Sequence, residues 1–182
     1  MNRPDPVDVS FIARALEKHE AALVHYVYRL THDLELARDV VQDAFLKLLN
    51  EDQKTIEGHL TQWLYQVCRN KALDIRKKER RMRLMADEVL DSNSAAITSP
   101  IDDLQNRETH SAVLTMLDQL PVNQQEVIRL KFQQGLSYKQ ISSITQLSVT
   151  NVGFLIHTGI KTLRQKLTGP LQTGPVQASE VK

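Results

Sequence analysis

The chain has 182 residues, 41% of them hydrophobic and 25% charged, with a formal net charge of +1 at pH 7. That is apolar material for one medium or two small packed domains, and too balanced a charge for a protein that merely coats a polyanion. The single Cys68 rules out an internal disulfide, no run approaches the roughly 20 apolar residues of a membrane span, and Met1–Ser10 lacks the form of a secretion signal, so the sequence reads as soluble and cytoplasmic.

In chain order, apolar residues first recur at helical spacing at Phe11, Ala15, Leu16, Leu23, Tyr26, Val27 and Leu30. Thr31 and Asp33 are placed to cap a second helix with Leu34, Ala37, Val41, Ala44, Phe45 and Leu48 on its inner face. Asn50–Gly58 is polar, ends in glycine and reads as a loop. A third helix from about His59 buries Leu60, Leu64 and Val67, then continues past Ala72 and Ile75 into a basic run. These three helices make a first domain over residues 7–85.

Residues 86–108, with Asp87, Glu88, Asp91, Ser92, Asn93, Ser94, Ser99 and Pro100, are acidic, serine-rich and aperiodic, and read as a flexible linker. A second domain over 109–168 resumes the helical period at Val113, Leu114, Leu117 and Leu120, breaks at Pro121, and resumes at Val127, Ile128, Leu130 and Phe132 until Gly135. Ser137 caps a short helix containing Ile141 and Ile144; Gln146-Leu147-Ser148 turns the chain into a last helix through Leu167. Residues 169–182, with two Gly-Pro pairs, read as a disordered tail. The fold class is therefore all-α, two small helical domains on a linker, the C-terminal one a helix-turn-helix.

That last helix places Val152, Leu155, Ile156, Ile160, Leu163 and Leu167 inward and Thr150, Asn151, Phe154, His157 and Lys161 outward. A helix backed this way can enter the major groove, with Ser148 and Arg164 completing the candidate set. Arg129, Lys131, Lys139, Lys161, Arg164 and Lys166 outnumber the one nearby acid, Glu126, and are suited to phosphates. The bland reading is two amphipathic helices packed in a bundle.

In the first domain, the second helix presents Glu35, Asp39, Gln42 and Leu46 in one outward stripe, with Arg38 and Asp43 beside it. A solvated charged face is the plain explanation. Leu46 within it, and seven acids against three cations over Asp33–Glu57, point instead to a docking surface for a basic helical partner. The third helix combines Trp63, Tyr65 and Gln66 with Arg69, Asn70, Arg76, Lys77, Arg80 and Arg81. Eight basic residues face two acids from Arg69 to Arg83. Aromatics beside cations are what unpaired bases and their backbone require, although Trp63 and Tyr65 fit the core equally well.

The run Asp33-Leu34-Glu35-Leu36-Ala37-Arg38-Asp39-Val40-Val41-Gln42-Asp43-Ala44-Phe45 resembles region 2 of the extracytoplasmic-function (ECF) sigma factors. So does Trp63-Leu64-Tyr65-Gln66-Val67-Cys68-Arg69-Asn70-Lys71-Ala72-Leu73-Asp74 with the basic run behind it. Leu117-Asp118-Gln119-Leu120-Pro121 and Gly135-Leu136-Ser137-Tyr138-Lys139-Gln140-Ile141 resemble region 4. The resemblance implies that Glu35, Arg38, Asp39, Gln42, Asp43 and Leu46 dock on the beta-prime clamp helices of core RNA polymerase. It implies that the third helix and the 50–58 loop melt and hold the minus-ten element, and that the helix after Ser148 reads the minus-thirty-five element. The beta subunit and an anti-sigma protein are further implied partners. One departure is Thr150-Asn151-Val152-Gly153-Phe154-Leu155-Ile156-His157, where many relatives carry an early Lys or Arg.

No catalysis and no cofactor are expected. His19, His25, His32, His59, His110 and His157 are scattered without metal-ligand spacing, Cys68 sits on an apolar face, and no glycine-rich phosphate loop appears. The rival is a stand-alone helix-turn-helix regulator, dimeric on a palindromic site.

Overall fold

Three aspartates start the first three helices of the computed structural model, which describes residues 8–85 and 107–168. The elements are α1 (Val9–Thr31), α2 (Leu34–Leu48), α3 (Gln53–Ile56), a 3-10 turn (Glu57–His59), α4 (Leu60–Met85), α5 (Arg107–Asp118), α6 (Val122–Phe132), α7 (Tyr138–Thr145) and α8 (Val149–Thr168). Most of the expected linker and the whole expected tail lie outside the described residues. Among the described residues there is no strand, and no helix is long and apolar enough to cross a membrane.

Each aspartate takes an amide that the first helical turn leaves without an internal acceptor. Asp8 accepts from Ser10 N at 3.2 Å, Asp33 from Leu36 N at 3.0 Å and Asp52 from Lys54 N at 2.9 Å. The Asp8 carboxyl also takes the Ser10 hydroxyl, and these bonds hold its pKa below the usual carboxylate value. Asp52 explains the one element the sequence did not announce: 50–58 is not a plain loop but contains α3 and the 3-10 turn. Its cap starts the helix, and Ile56, 2% exposed, anchors it.

Packing divides the described residues into two bodies. In the first, α1 and α2 pack on each other and on α4, and α7 also packs on α4. Leu23, Val27, Ala37, Leu48, Leu64 and Cys68 are fully buried there. Leu34, expected inward, is exposed at the first position of α2, and Val40 joins the inner face instead. Tyr65 is core, its ring edge-on to Tyr26 with centroids 5.0 Å apart.

In the second body α5, α6 and α8 pack together around Leu117, Leu120, Val127, Leu130, Val152 and Ile156. Gly159 lets α8 lie close on α6: a Cβ there would come within 2.5 Å of Ile128 Cδ1 and 3.4 Å of Leu120 Cδ1. Two apolar residues read as inward are exposed, Phe132 and Leu167, each in the last turn of its helix.

Arg129 is a larger correction. Counted among the cations available to phosphates, it is instead buried, with its guanidinium 2.7 Å from Asp118 Oδ1. Gln125 Nε2 donates to the carbonyls of Asp118 (2.9 Å) and Leu120 (2.8 Å), filling acceptors that the end of α5 leaves open. Lys166 Nζ donates to Gln119 Oε1 at 2.6 Å. Leu117-Asp118-Gln119-Leu120-Pro121 is thus a clasp, joining α5 to α6 and α8 through side chains of every polar kind it contains.

Candidate functional site

Three outward faces carry the residues singled out from sequence, and each is built by a helix whose opposite side is core. On α2, Glu35, Asp39, Gln42 and Leu46 form one exposed stripe, opposite Ala37, Val40, Val41 and Ala44. Leu46 is 53% exposed, and Leu49, one turn further along the stripe, is 44% exposed. Leu49 was missed by the sequence reading; its spacing of three from Leu46 was the available signal. Arg38 Nη1 lies 2.7 Å from Glu35 Oε1, which steadies both side chains on the surface. Asp43 is only half-exposed, with its carboxylate 3.1 Å from Lys71 Nζ. It therefore ties α2 to α4, whereas the Arg38–Glu35 pair stays within α2.

On α4, Leu64, Tyr65, Cys68 and Ala72 face the core. At 3.6 residues per turn, Trp63, Asn70, Lys77 and Arg81 fall on the side diametrically opposite, with Gln66 beside them. Arg69, Arg76 and Arg80 form a second line along one flank. Trp63, Gln66 and Arg69 are half-buried, and Asn70 is exposed. From Arg76 to Met82 every residue is exposed, so the helix runs on beyond its core contacts as a polar rod with five cations and only Glu79 against them. A rod so charged repels itself unless an anion lies along it. Tyr65 and Trp63, equivalent in sequence terms, part company here: the Tyr65 ring is core and burial raises its hydroxyl pKa, while Trp63 keeps a surface. Burial likewise pushes the Cys68 thiol up to about 12, against a weaker opposite pull from Lys47, so it remains a neutral core group.

On α8, Thr150, Phe154, His157, Lys161 and Arg164 form one exposed or half-exposed line with Asn151 at its edge, opposite Val152, Ile156 and Gly159. Ser148 precedes the helix and accepts from Asn151 N at 3.2 Å. Its hydroxyl thus has a structural task, fixing the first turn that carries Thr150 and Asn151. Just before it, α7 opens with a reciprocal capping box, Ser137 N–H to Gln140 Oε1 at 2.9 Å and Gln140 N–H to Ser137 Oγ at 3.2 Å. It closes on Gln146 in the left-handed region, φ 61°, with Ser142 Oγ donating to the Leu147 carbonyl. The short helix, tight turn and long helix read from the sequence are all present; α7 belongs by packing to the first body and α8 to the second. Among the described residues no three His, Cys, Asp or Glu side chains cluster in a way that could hold a metal ion.

Against known proteins, the family model described as Sigma-70 region 2 matches residues 15–82, and that described as Sigma-70, region 4 matches residues 110–163. The chain is 28% identical over 128 residues to the ECF RNA polymerase sigma factor SigM of Bacillus subtilis (strain 168), covering 69% of this chain and 76% of that protein. It is 28% identical over 169 residues to SigW of the same organism, also an ECF RNA polymerase sigma factor, covering 88% and 90%. Among solved structures, its fold is similar to the sigma factor RpoE of Bartonella quintana, solved in complex with the anti-sigma factor NepR. The TM-score is 0.62 at 20% identity, over 90% of this chain and 100% of that one.

Proposed function

The chain belongs to the ECF group of bacterial RNA polymerase sigma factors, initiation factors that bind core polymerase and direct it to promoters, and we propose that its three outward faces divide that work. The stripe of α2, with Asp39, Gln42, Leu46 and Leu49 at its centre, docks on the clamp helices of the beta-prime subunit. Its acids meet basic side chains there, and its two leucines lose their water. Face α4 melts and holds the minus-ten element, Trp63 stacking on an unpaired base while Lys77, Arg80 and Arg81 follow the backbone. Face α8 reads the minus-thirty-five element in duplex form, with Lys161 and Arg164 on phosphates and the first turns on bases. The beta subunit holds the C-terminal half in place. All of this is binding rather than bond-making chemistry, carried out in the cytoplasm.

The observation that carries this reading is the outward face of α4: a half-exposed tryptophan in line with Asn70, Lys77 and Arg81, on a helix whose opposite side is core from Leu64 to Ala72. A dimeric repressor needs no unpaired-base surface. An anti-sigma protein of the kind solved with the Bartonella quintana relative completes the proposal, covering the same faces when the factor is idle.

Co-migration of the purified chain with bacterial core polymerase on gel filtration is the test, with Asp39→Arg and Gln42→Ala alongside. Binding by the intact chain that Asp39→Arg weakens at least tenfold is the expected result. Failure of the intact chain to bind, together with a stable dimer, would overturn the proposal in favour of the stand-alone regulator.

A further inference from the structure

Phe154 is 63% exposed in the middle of an otherwise polar line, between Thr150 and Asn151 on one side and His157 and Lys161 on the other. A ring left in water among side chains suited to DNA calls for an apolar group on that DNA. The major groove displays one, the 5-methyl of thymine. Asn151 stands three residues earlier, exposed at the edge of the same face, on the first turn that Ser148 fixes. Its side chain offers the donor and acceptor pair that matches adenine N7 and N6. Residues three apart on a helix are neighbours at roughly 5–6 Å. Successive base pairs are stacked at about 3.4 Å, so two such side chains reach adjacent pairs.

We infer that this chain reads an adjacent adenine and thymine in its upstream promoter element, Asn151 on the adenine and Phe154 on the thymine methyl. The inference rests on α8 as the reader of that element and adds the base identities. It also gives a reason for the uncharged start of this helix: a cation there would select guanine, whose groove edge carries only acceptors.

The test uses holoenzyme reconstituted from core polymerase and the full chain. A duplex pool randomised across the upstream element is selected with the wild type, Phe154→Ala, Asn151→Ala and a Lys161→Ala/Arg164→Ala double variant. The selected duplex is then remade with deoxyuridine for the thymidine, removing only the methyl, and with 7-deaza-adenine for the adenine, removing only N7. A buried methyl is worth about 0.8 kcal/mol, or roughly fourfold in Kd. The wild type should lose about that factor on deoxyuridine and Phe154→Ala should lose none; Asn151→Ala should be indifferent to 7-deaza-adenine. Because Phe154 and Asn151 are exposed, neither truncation removes core contacts. A wild type that binds both duplexes equally, or a Phe154→Ala that keeps the fourfold difference, overturns the pairing. A selection that returns no upstream element, with the double variant equal to the wild type, overturns the reading of α8 itself.

Discussion

Replacing Asp118 by alanine should unlock the second body. The Arg129 side chain is 8% exposed and its guanidinium sits 2.7 Å from Asp118 Oδ1, while the Asp118 side chain is 41% exposed. Removing one partner of a fully buried pair costs about 3–5 kcal/mol, because the other charge is left without compensation. Water already reaches the aspartate side, which screens the pair and brings the expectation for Asp118→Ala down to about 2 kcal/mol. In a helical unit of this size that is roughly a 10 °C fall in its unfolding temperature. Arg129→Met should cost less than about 1 kcal/mol, since it fills similar space with an apolar stem and the Asp118 side chain is already 41% exposed to water. The order matters more than either value, because an exposed ion pair would show the two substitutions to be equal and small. Thermal unfolding of the full chain, with hydrogen exchange assigning the loss to α6 and α8 amides, measures both. Asp118→Ala within 0.5 kcal/mol of wild type, or Arg129→Met as the worse of the two, would refute the clasp.

In the first body, the Tyr65 hydroxyl is buried with no hydrogen-bond partner among the described residues. Tyr65→Phe should therefore raise the denaturant midpoint by about 1 kcal/mol equivalent while keeping the ring against Tyr26, and a loss instead would mean a bridging water or other partner. Alkaline pH should destabilise the same body. The folded Cys68 pKa lies at about 12 against an ordinary 9, so the folded state holds a proton that the unfolded chain gives up. The stabilisation is whole below pH 9 and falls by about 1.4 kcal/mol per pH unit as pH rises toward the folded value. Cys68→Ala should flatten that slope in urea titrations between pH 8 and about 10, where Tyr65 begins to add its own. Gly159→Val should destabilise the second body by about 1–3 kcal/mol, because its Cβ alone would come within 2.5 Å of Ile128 Cδ1. Gly58→Ala, with nothing within 4 Å of the added carbon, should leave melting within 0.5 kcal/mol of wild type; equal effects would sink the close approach of α8.

Local order was legible because local chemistry determines it. Asp33, Ser137 and Ser148 stand immediately before helices and take their first amides, and the apolar spacing from Phe11 to Leu30 needs only a 3.6-residue period to be read. The outward line of Thr150, Phe154, His157 and Lys161 follows from the same period. So does the outer side of α4, and from those two faces and the family motifs the function could be read before any fold was seen.

What tertiary structure alone decided is which of several equivalent residues is spent inside. Trp63 and Tyr65 are neighbours on one helix, yet only Tyr65 meets Tyr26, a residue 39 positions earlier in the chain. Arg129 looks like its basic neighbours until Asp118 comes within 2.7 Å, and Asp43 like its acidic neighbours until Lys71 comes within 3.1 Å. Nothing local marks Gly159 as a contact; it becomes one only when Ile128 lies over it. Periodicity assigns a residue to a side of its own helix; the partner that settles its charge, its burial and its freedom to bind comes from elsewhere in the chain, and no local pattern carries that pairing.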